Sequence, residues 1–317
     1  MHDHDERHVP VLSNEVLEFL RVRRGGVYAD ATLGLAGHSS LIARALGPEG
    51  KLIGFDRDSE AMEIARARLA RLSEELGSEM PAVELVEEEF SRAAEHIAEG
   101  TLDGLLADFG ISSLQLSGAH RGFSFQAELD GPLDMRMNTR TGVTAEQVVN
   151  QYGEKELADL IYEFGEERRS RRIARAVVRA RPITTTAQLA RVVSAAAPTT
   201  KQDRIHPATR TFQAIRIHVN GELDEIQALL QAAPKLLKQG GRLVVISFHS
   251  LEDRLAKDAL REGLQQGTYE VLTRKPVTAS EEEMDRNPRS RSAKLRAAER
   301  MGEGHKFESR KKNKYRA

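Results

Sequence analysis

Two stretches near the N-terminus hold the residues best suited to bind a small molecule. In residues 27–38, a predicted strand runs into a turn that contains Gly34 and Gly37, and in residues 51–56 a second predicted strand ends at Asp56. Asp56 follows Gly34 by 22 positions, close to the roughly 20-residue separation at which an acid accepts hydrogen bonds from the ribose of a nucleotide. The pattern predicts a site for an adenosine-containing cofactor.

The glycine turn argues against a dinucleotide as the cofactor. A dinucleotide pyrophosphate needs a three-glycine turn and close approach of backbone N–H groups at a helix N-terminus, whereas this turn has only Gly34 and Gly37. A cofactor without phosphate, such as S-adenosylmethionine, needs instead a turn that admits its amino-acid end and an acid for its ribose hydroxyls. The alternative is a tight turn that binds nothing, with Asp56 as a helix N-cap.

Composition limits the class of protein. The chain has 317 residues, of which 30% are charged, 40% are hydrophobic and none is cysteine, so disulfides, thiolate metal sites and cysteine nucleophiles are excluded. The sequence has neither an apolar run long enough to span a membrane nor an apolar leader, which predicts a cytoplasmic protein with no membrane partner. Because no His and carboxylate pair has metal-site spacing such as His-Glu-x-x-His, no metal is expected.

The order of predicted elements indicates an α/β fold. Strands and helices alternate from residue 27 to residue 108, which predicts a parallel sheet with right-handed crossovers. Residues 143–219 then read as five helices, after which a strand at 242–247 and a hairpin at 269–274 and 292–300 complete the sheet. We divide the chain into a discontinuous sheet domain, residues 1–114 and 215–317, and an inserted helical domain, residues 115–214.

Two groups of basic residues indicate a polyanionic partner. Residues 286–317 contain 12 Lys or Arg and 3 Asp or Glu, a net charge of about +9 against about −10 for the rest, as is typical of nucleic-acid binding. Within the insert, four arginines fall on one predicted helix face and could follow a phosphate backbone: Arg168, Arg172, Arg175 and Arg179. The alternatives are a segment that only aids solubility and a solvated face paired with Glu163, Glu166 and Glu167.

Longer motifs in the chain resemble those of one family. They lie at residues 108–116 (DFGISSLQL), 121–125 (RGFSF), 130–137 (DGPLDMRM), 211–217 (TFQAIRI), 247–254 (SFHSLEDR) and 287–296 (NPRSRSAKLR). In this order, and over nearly the whole chain, they are similar to the motifs of the bacterial 16S rRNA (cytosine-N4)-methyltransferases, the RsmH or MraW family.

The resemblance implies a class I S-adenosylmethionine methyltransferase sheet with an inserted helical substrate-recognition domain. It also implies methylation of the exocyclic N4 amine of a cytidine in the decoding centre of small-subunit (16S) ribosomal RNA, and it allows a homodimer. The family's cofactor contacts fall here on seven residues: Ala36, Gly37, His38, Asp56, Phe90, Asp108 and Gln115.

Two residues depart from the family pattern. Ala36 interrupts the usual Gly-x-Gly-Gly-His turn, and Leu114 replaces a proline. Alanine at position 36 should be tolerated unless the position needs a positive φ.

The chemistry of N4 methylation suits these residue types. The amine lone pair is delocalised into the ring, so a group that accepts the amine hydrogens must favour a pyramidal nitrogen while the methyl donor is held in line. We expect Asp108 to do this, with holding the cofactor's amino group as the alternative, and His249 to contact the target base. Methylation at cytosine C5 needs a covalent thiolate adduct, which a chain without cysteine cannot form.

RNA contacts are predicted in two further places. Phe123 and Phe125 are expected to receive the target base once it leaves its stack, with core packing as the alternative, and Arg289 and Arg291 of the basic segment are expected to contact RNA.

Two other functions stay open on the sequence alone. A nicotinamide-dependent oxidoreductase shares the βαβ start but would need the full glycine signature. An RNA-binding assembly factor with a vestigial cofactor fold would account for the basic segment and the altered turn. Methyl transfer from S-adenosylmethionine to small-subunit RNA distinguishes the methyltransferase from both.

Overall fold

The computed structural model describes residues 10–198 and 205–302. The strands of this part are β1 (Val27–Asp30), β2 (Lys51–Phe55), β3 (Ala82–Val86), β4 (Leu102–Asp108), β5 (Leu237–Ser247), β6 (Tyr269–Val271) and β7 (Lys294–Arg300). The α-helices are α1 (Ser13–Leu20), α2 (Gly37–Leu46), α3 (Ser59–Leu76), α4 (Ala93–His96), α5 (Ser113–Ser117), α6 (Ala145–Gln151), α7 (Glu154–Gly165), α8 (Ser170–Ala180), α9 (Thr186–Ala196), α10 (Ala208–Asn220), α11 (Glu222–Leu236), α12 (Ser250–Gln266) and α13 (Glu281–Arg286).

The strands form one seven-stranded sheet in the order β3-β2-β1-β4-β5-β7-β6. Strand β7 runs antiparallel to β5 and to β6, and the other neighbouring pairs are parallel. This is the sheet of a class I methyltransferase, so the predicted fold class is confirmed, as is the predicted terminal hairpin. Strand order reverses between β1 and β4, and open α/β sheets bind ligands in the crevice that forms there beyond the carboxyl ends of the strands.

Two hydrophobic cores cover the two faces of the sheet. Because successive strand residues point to opposite faces, Tyr28 and Leu52 pack against α1, α2 and α3, whereas Ala29 and Ile53 belong to the core formed with α11 and α12. Both faces are therefore buried, and the strand ends are the part of the sheet left to bind a ligand.

The helices from α6 to α10 have a third core of their own, as expected for an insert. The boundaries predicted at 114/115 and 214/215 fall inside α5 and α10. Helix α10 runs on because it buries Phe212, Ile215 and Ile217 along its length, and it ends where Gly221 adopts a φ of +58°. Among the described residues, no helix has the length and apolar character needed to cross a bilayer.

One predicted helix begins later than expected. The pattern predicted a helix over residues 166–181, but α8 begins at Ser170. Glu166 adopts a left-handed φ of +49° and ends α7, and the Glu167 carboxylate then accepts the N–H of Arg169 at 2.8 Å. This local hydrogen bond competes with helix formation at that point.

Candidate active site

Three acids stand at the carboxyl ends of the strands that meet at the crevice. Asp30 ends β1, Asp108 ends β4, and Asp56 follows β2 directly. All three line one cleft, together with residues from the glycine turn and from the loops after β4 and β5, among them Thr32, Gly34, His38, Ser112 and Phe248. Asp56 and Asp108 were predicted from the sequence as site residues. Asp30 was not, although it has the same signal, an acid at the carboxyl end of a strand.

The Asp56 carboxylate joins the two loops beside it. Its Oδ2 accepts the N–H of Gly34 and its Oδ1 accepts the N–H of Asp58, each at 2.8 Å. Gly34 adopts a φ of +50°, in the left-handed region that glycine enters at little cost. Burial raises the pKa of Asp56 to about 6, even though these two hydrogen bonds lower it. Each oxygen keeps a lone pair that can accept a hydroxyl hydrogen.

Ala36 occupies a position that favours glycine. Its φ is +58°, and a left-handed backbone costs an alanine roughly 1–2 kcal/mol. Its methyl group is fully buried in the core beneath the sheet. Gly37 and His38 line the cleft and Ala36 does not, so the side chain of Ala36 is not placed where the sequence analysis expected a cofactor contact.

Asp108 and His38 face each other in the cleft. His38 Nε2 lies 3.6 Å from Asp108 Oδ2. Within the described residues, Asp108 Oδ1 and both ring nitrogens of His38 are buried without a hydrogen-bond partner. Buried polar atoms of this kind are rare and costly, and these three are able to form hydrogen bonds with a ligand in the cleft. The backbone N–H of Asp108 donates to Thr32 Oγ1 at 2.7 Å, which fixes the end of β4 against β1.

Asp30 lies near this pair and accepts hydrogen bonds from two residues beside it. Its Oδ2 accepts the Ser39 hydroxyl at 2.7 Å and its Oδ1 accepts the Thr32 N–H at 3.1 Å. Burial raises the pKa of Asp30, while the Ser39 hydrogen bond and the nearby His38 lower it.

Gln115 lines the cleft, but its amide is engaged with protein. Oε1 accepts the N–H of Ser112 at 3.0 Å, and Nε2 donates to Asp58 Oδ2 at 2.8 Å. Ser112 in turn caps α5 through the N–H of Gln115. This capping box orders the loop despite Leu114 in place of the family proline. The position of Gln115 therefore suits holding the loop after β4 against the loop after β2.

Phe123 and Phe125 do not lie in the cleft. Phe123 is 6% exposed and belongs to the core of the insert. Phe125 lies between the rings of His206 and Phe212, at centroid distances of 4.8 Å and 4.9 Å. The prediction that they receive the target base is corrected here, because the loop that carries them folds onto the insert helices, where Phe123 is buried and Phe125 is partly buried against the same core.

Phe90 and Phe248 line the cleft instead. Phe90 packs against Phe109 at a centroid distance of 6.0 Å. Phe248 lies beside Gly110, where an added Cβ would come within 3.3 Å of its ring. Sequence reasoning missed Phe248, although its position directly after β5, the neighbour of β4, could have indicated it.

His249 is held away from the cleft. Its Nδ1 accepts the N–H of Glu252 at 3.4 Å, and its Nε2 lies 3.0 Å from Glu252 Oε1. It therefore caps α12 rather than lining the cleft. The expected contact between His249 and the target base is corrected accordingly, because the buried Glu252 fixes the ring.

Glu222, His249 and Glu252 lie close enough together to bind a metal ion, and within the described residues they are the one such group. Arg216 already occupies the space between them. Its guanidinium donates two hydrogen bonds of 2.8 Å to Glu222 and lies 3.5 Å from His249 Nε2. Burial lowers the pKa of Arg216, but Glu222 and Glu252 raise it by more, so the pKa lies above its usual value. We assign no metal to this cluster.

The basic segment is partly built into the fold. Arg289 lines the cleft that contains Asp108, whereas Arg291 is exposed outside it. Burial lowers the pKa of Arg289, and the nearby Asp108 carboxylate only partly offsets this effect. Arg296 and Lys294 pair with Asp253 at 2.7 Å and 3.4 Å. Residues 303–317, with the remaining charge of the segment, lie outside the described residues.

The predicted arginine row is exposed on the insert. Arg172, Arg175 and Arg179 lie on α8, and Arg168 lies in the turn before it. Arg175 pairs with Glu154 at 3.3 Å, and the other three form no ion pair within the part of the chain that the structure describes. Two of the three acids that could have neutralised the row bind other arginines: Glu166 binds Arg254, and Glu167 binds Arg169 and Arg210.

Comparison with known sequences decides the family. The profile of the MraW methylase family matches residues 5–301. The chain belongs to this family. The predicted enzyme class and cofactor are thereby confirmed, and the chain is an S-adenosylmethionine-dependent methyltransferase.

Relatives match over almost their full length. A protein of Acidobacterium capsulatum named "Ribosomal RNA small subunit methyltransferase H" is 76% identical over 295 residues, 93% of this chain and 99% of that protein. A protein of the same name from Koribacter versatilis is 62% identical over 92% of this chain and 94% of its own length. A crystal structure of a putative rRNA-methylase from Clostridium thermocellum, 12% identical, covers 94% of this chain and 99% of its own with a TM-score of 0.47.

The cleft fits the family cofactor. Asp56 offers carboxylate oxygens with free lone pairs, and His38 and Asp108 offer buried polar atoms that have no partner in residues 10–198 and 205–302. Space for a ligand exists at the glycine turn, where a Cβ on Gly34 would meet only the Thr32 carbonyl oxygen, at 3.9 Å.

Proposed function

We propose that this methyltransferase modifies small-subunit ribosomal RNA on the exocyclic N4 amine of a cytidine in the decoding centre. The relatives named above support the RNA substrate. The structural observation that carries the proposal is Oδ1 of Asp108, which is buried at the carboxyl end of β4 and has no hydrogen-bond partner in the part of the chain that the structure describes. A carboxylate oxygen at this position can accept a hydrogen from an amine and stabilise the charge that develops as the methyl group arrives.

When bound, S-adenosylmethionine supplies an electrophilic methyl group on a cationic sulfur. We assign its ribose to Asp56 and its amino-acid end to Gly37 and His38, at the N-terminus of α2. Phe90, after β3, provides an apolar wall. Gln115 is assigned a positioning role because its amide already bonds to Ser112 and Asp58.

The target base is assigned to the side of the cleft between Asp108 and Phe248. Extruding the base from its stack costs a few kcal/mol, and stacking on the Phe248 ring offsets part of this cost. Asp108 accepts an amine hydrogen before transfer and takes up the proton that the nitrogen releases afterwards. Arg289 in the same cleft is assigned to acceptor oxygens of the nucleotide.

The helical insert, residues 115–214, is assigned to RNA recognition. Three exposed arginines without an ion pair in the described chain, Arg168, Arg172 and Arg179, could follow the phosphate backbone together with Arg175. Arg291 and the basic segment add charge of the same sign. A cytoplasmic location and a homodimer stay predictions.

Mass analysis of ribosomal RNA tests the function directly. Small subunits from cells that lack the protein are incubated with the purified protein and S-adenosylmethionine, and the RNA is digested to nucleosides. We expect N4-methylcytidine at one position of the small-subunit RNA, and far less of it in the same time with the Asp108→Asn variant. Methylation of another atom or another RNA would overturn the proposal.

A further inference from the structure

The loop after β2 joins the cofactor cleft to the insert through three consecutive residues. Asp56 faces the glycine turn, as described above. Arg57 donates from Nη1 to the carbonyl oxygen of Asn220 at 2.8 Å and from Nη2 to Met137 Sδ at 3.1 Å. Asp58 begins α3 by accepting the N–H of Glu60 at 3.2 Å.

Arg121 binds this loop from the side where the chain enters the insert. Its side chain is 3% exposed. It donates to Asp58 Oδ2 at 2.7 Å and to Glu60 Oε2 at 3.0 Å, and to the carbonyl oxygens of Arg136 and Met137 at 3.1 Å and 3.0 Å. One buried cation therefore holds α3, the loop after β2 and the segment that lines the cleft at Met137.

Asn220 forms the corresponding connection where the chain leaves the insert. Its Oδ1 accepts the N–H of Met137 at 2.7 Å, and its Nδ2 donates to the carbonyl oxygen of Met135 at 2.7 Å. Asn220 is the last residue of α10, and its carbonyl oxygen is the one that Arg57 binds. Both chain crossings of the insert are thus bonded to the residues that follow Asp56.

A buried ion pair is a poor way to gain stability, because desolvation offsets most of the attraction. It does fix geometry, since a guanidinium with several acceptors has few alternative arrangements. We propose that Arg121 is a positioning residue that couples the insert to the cofactor site, so that RNA on the insert and cofactor at Asp56 strengthen each other's binding. This inference rests on the proposed function, which places the ribose at Asp56 and RNA on the insert.

Linked binding tests the coupling. The affinity of the full-length protein for S-adenosylhomocysteine is measured by calorimetry with and without small subunits from cells that lack the protein. In the wild type we expect the subunits to tighten S-adenosylhomocysteine binding by about fivefold or more, since fivefold is the lower end of the usual change in affinity between coupled sites. Arg121→Lys keeps the charge but cannot reach all four acceptors, and the tightening should fall below about twofold.

Arg242→Lys is the matched control, because Arg242 is also largely buried and donates both to an acid, Glu299, at 3.0 Å and to a carbonyl oxygen, that of Phe19, at 3.1 Å. It should retain the tightening. Thermal unfolding shows whether the Arg121→Met variant folds. If it does not, the tightening is measured in Arg121→Lys and Asp58→Asn, where it should be lost. Retained tightening in Arg121→Lys, or none in the wild type, would overturn the coupling.

Asp56→Asn separates this inference from the function on which it rests. If Asp56→Asn weakens binding while Arg121→Lys retains the tightening, the cofactor site stands and the coupling is overturned. If Asp56→Asn binds S-adenosylhomocysteine as well as the wild type does, the cofactor placement is wrong and the coupling is overturned with it.

Discussion

His38 Nε2 lies 3.6 Å from Asp108 Oδ2, although the two residues are on elements that are far apart in sequence. His38 is in the first turn of α2, and Asp108 ends β4. The arrangement places one carboxylate oxygen beside the imidazole and leaves Oδ1 without a partner among the described residues. The two oxygens of Asp108 therefore have different surroundings, and the one without a partner is available to a ligand.

Asp108→Asn tests this availability. The amide cannot take up the proton that the amine releases, so kcat for methylation of small subunits should fall about 100-fold or more, the range for loss of a positioned base. The Kd for S-adenosylhomocysteine should change less than about threefold. If Kd rises as much as kcat falls, Asp108 holds the amino group of the cofactor and does not act on the target amine.

Asp56→Asn should weaken S-adenosylhomocysteine binding by about 10–100-fold, because hydrogen bonds to a charged acceptor contribute about 1.5–3 kcal/mol. Calorimetry measures the effect. Asp103→Asn is the control, since Asp103 accepts the N–H of Val27 near the opposite ends of the strands. Equal loss in both variants would show a general effect on the fold.

Cofactor affinity should depend on pH through Asp56. Burial raises its pKa to about 6, so the acid becomes protonated as the pH falls through that value and offers fewer acceptor sites to the ribose. Binding should thus weaken below pH 6, because the ligand favours the charged form. An affinity for S-adenosylhomocysteine that is constant between pH 7.5 and 5.5, with the fold intact by circular dichroism, would argue against this role.

Phe248→Leu should lower kcat/KM for small subunits by about 5–100-fold, because stacking of a base on an aromatic ring contributes about 1–3 kcal/mol. Phe125→Leu makes the same chemical change at a ring that packs against the insert core, outside the cleft. It should lower the melting temperature and leave methylation of the folded protein nearly unchanged. The reverse result would restore Phe125 as the residue that receives the base.

Arg172→Gln should weaken binding to small subunits and reduce the slope of log affinity against log salt concentration by about one, the effect of losing one phosphate contact. Arg44→Gln is the control, since Arg44 is exposed on α2 and paired with Glu75 at 2.6 Å. The salt dependence of a filter-binding titration measures both. An unchanged slope for Arg172→Gln would remove α8 from the RNA surface.

The local sequence was enough to predict the fold class and the acids of the site that stand at strand ends. Alternating strands and helices require a parallel sheet, and acids at strand ends necessarily meet at its edge, so Asp56 and Asp108 could be named before the structure. The fold class, enzyme class and cofactor are confirmed. The roles of the individual site residues stay predictions.

The sequence by itself determined the sheet, the glycine turn and the residue types that suit an adenosine cofactor, because these depend on spacing along one or two neighbouring elements. Only the tertiary structure decided which loop side chains face the cleft. Phe123 and Phe125 turn into the insert core and Phe248 lines the cleft, because a loop side chain packs against whichever apolar surface the rest of the fold brings to it. The four acceptors of Arg121 likewise come from segments that only folding brings together.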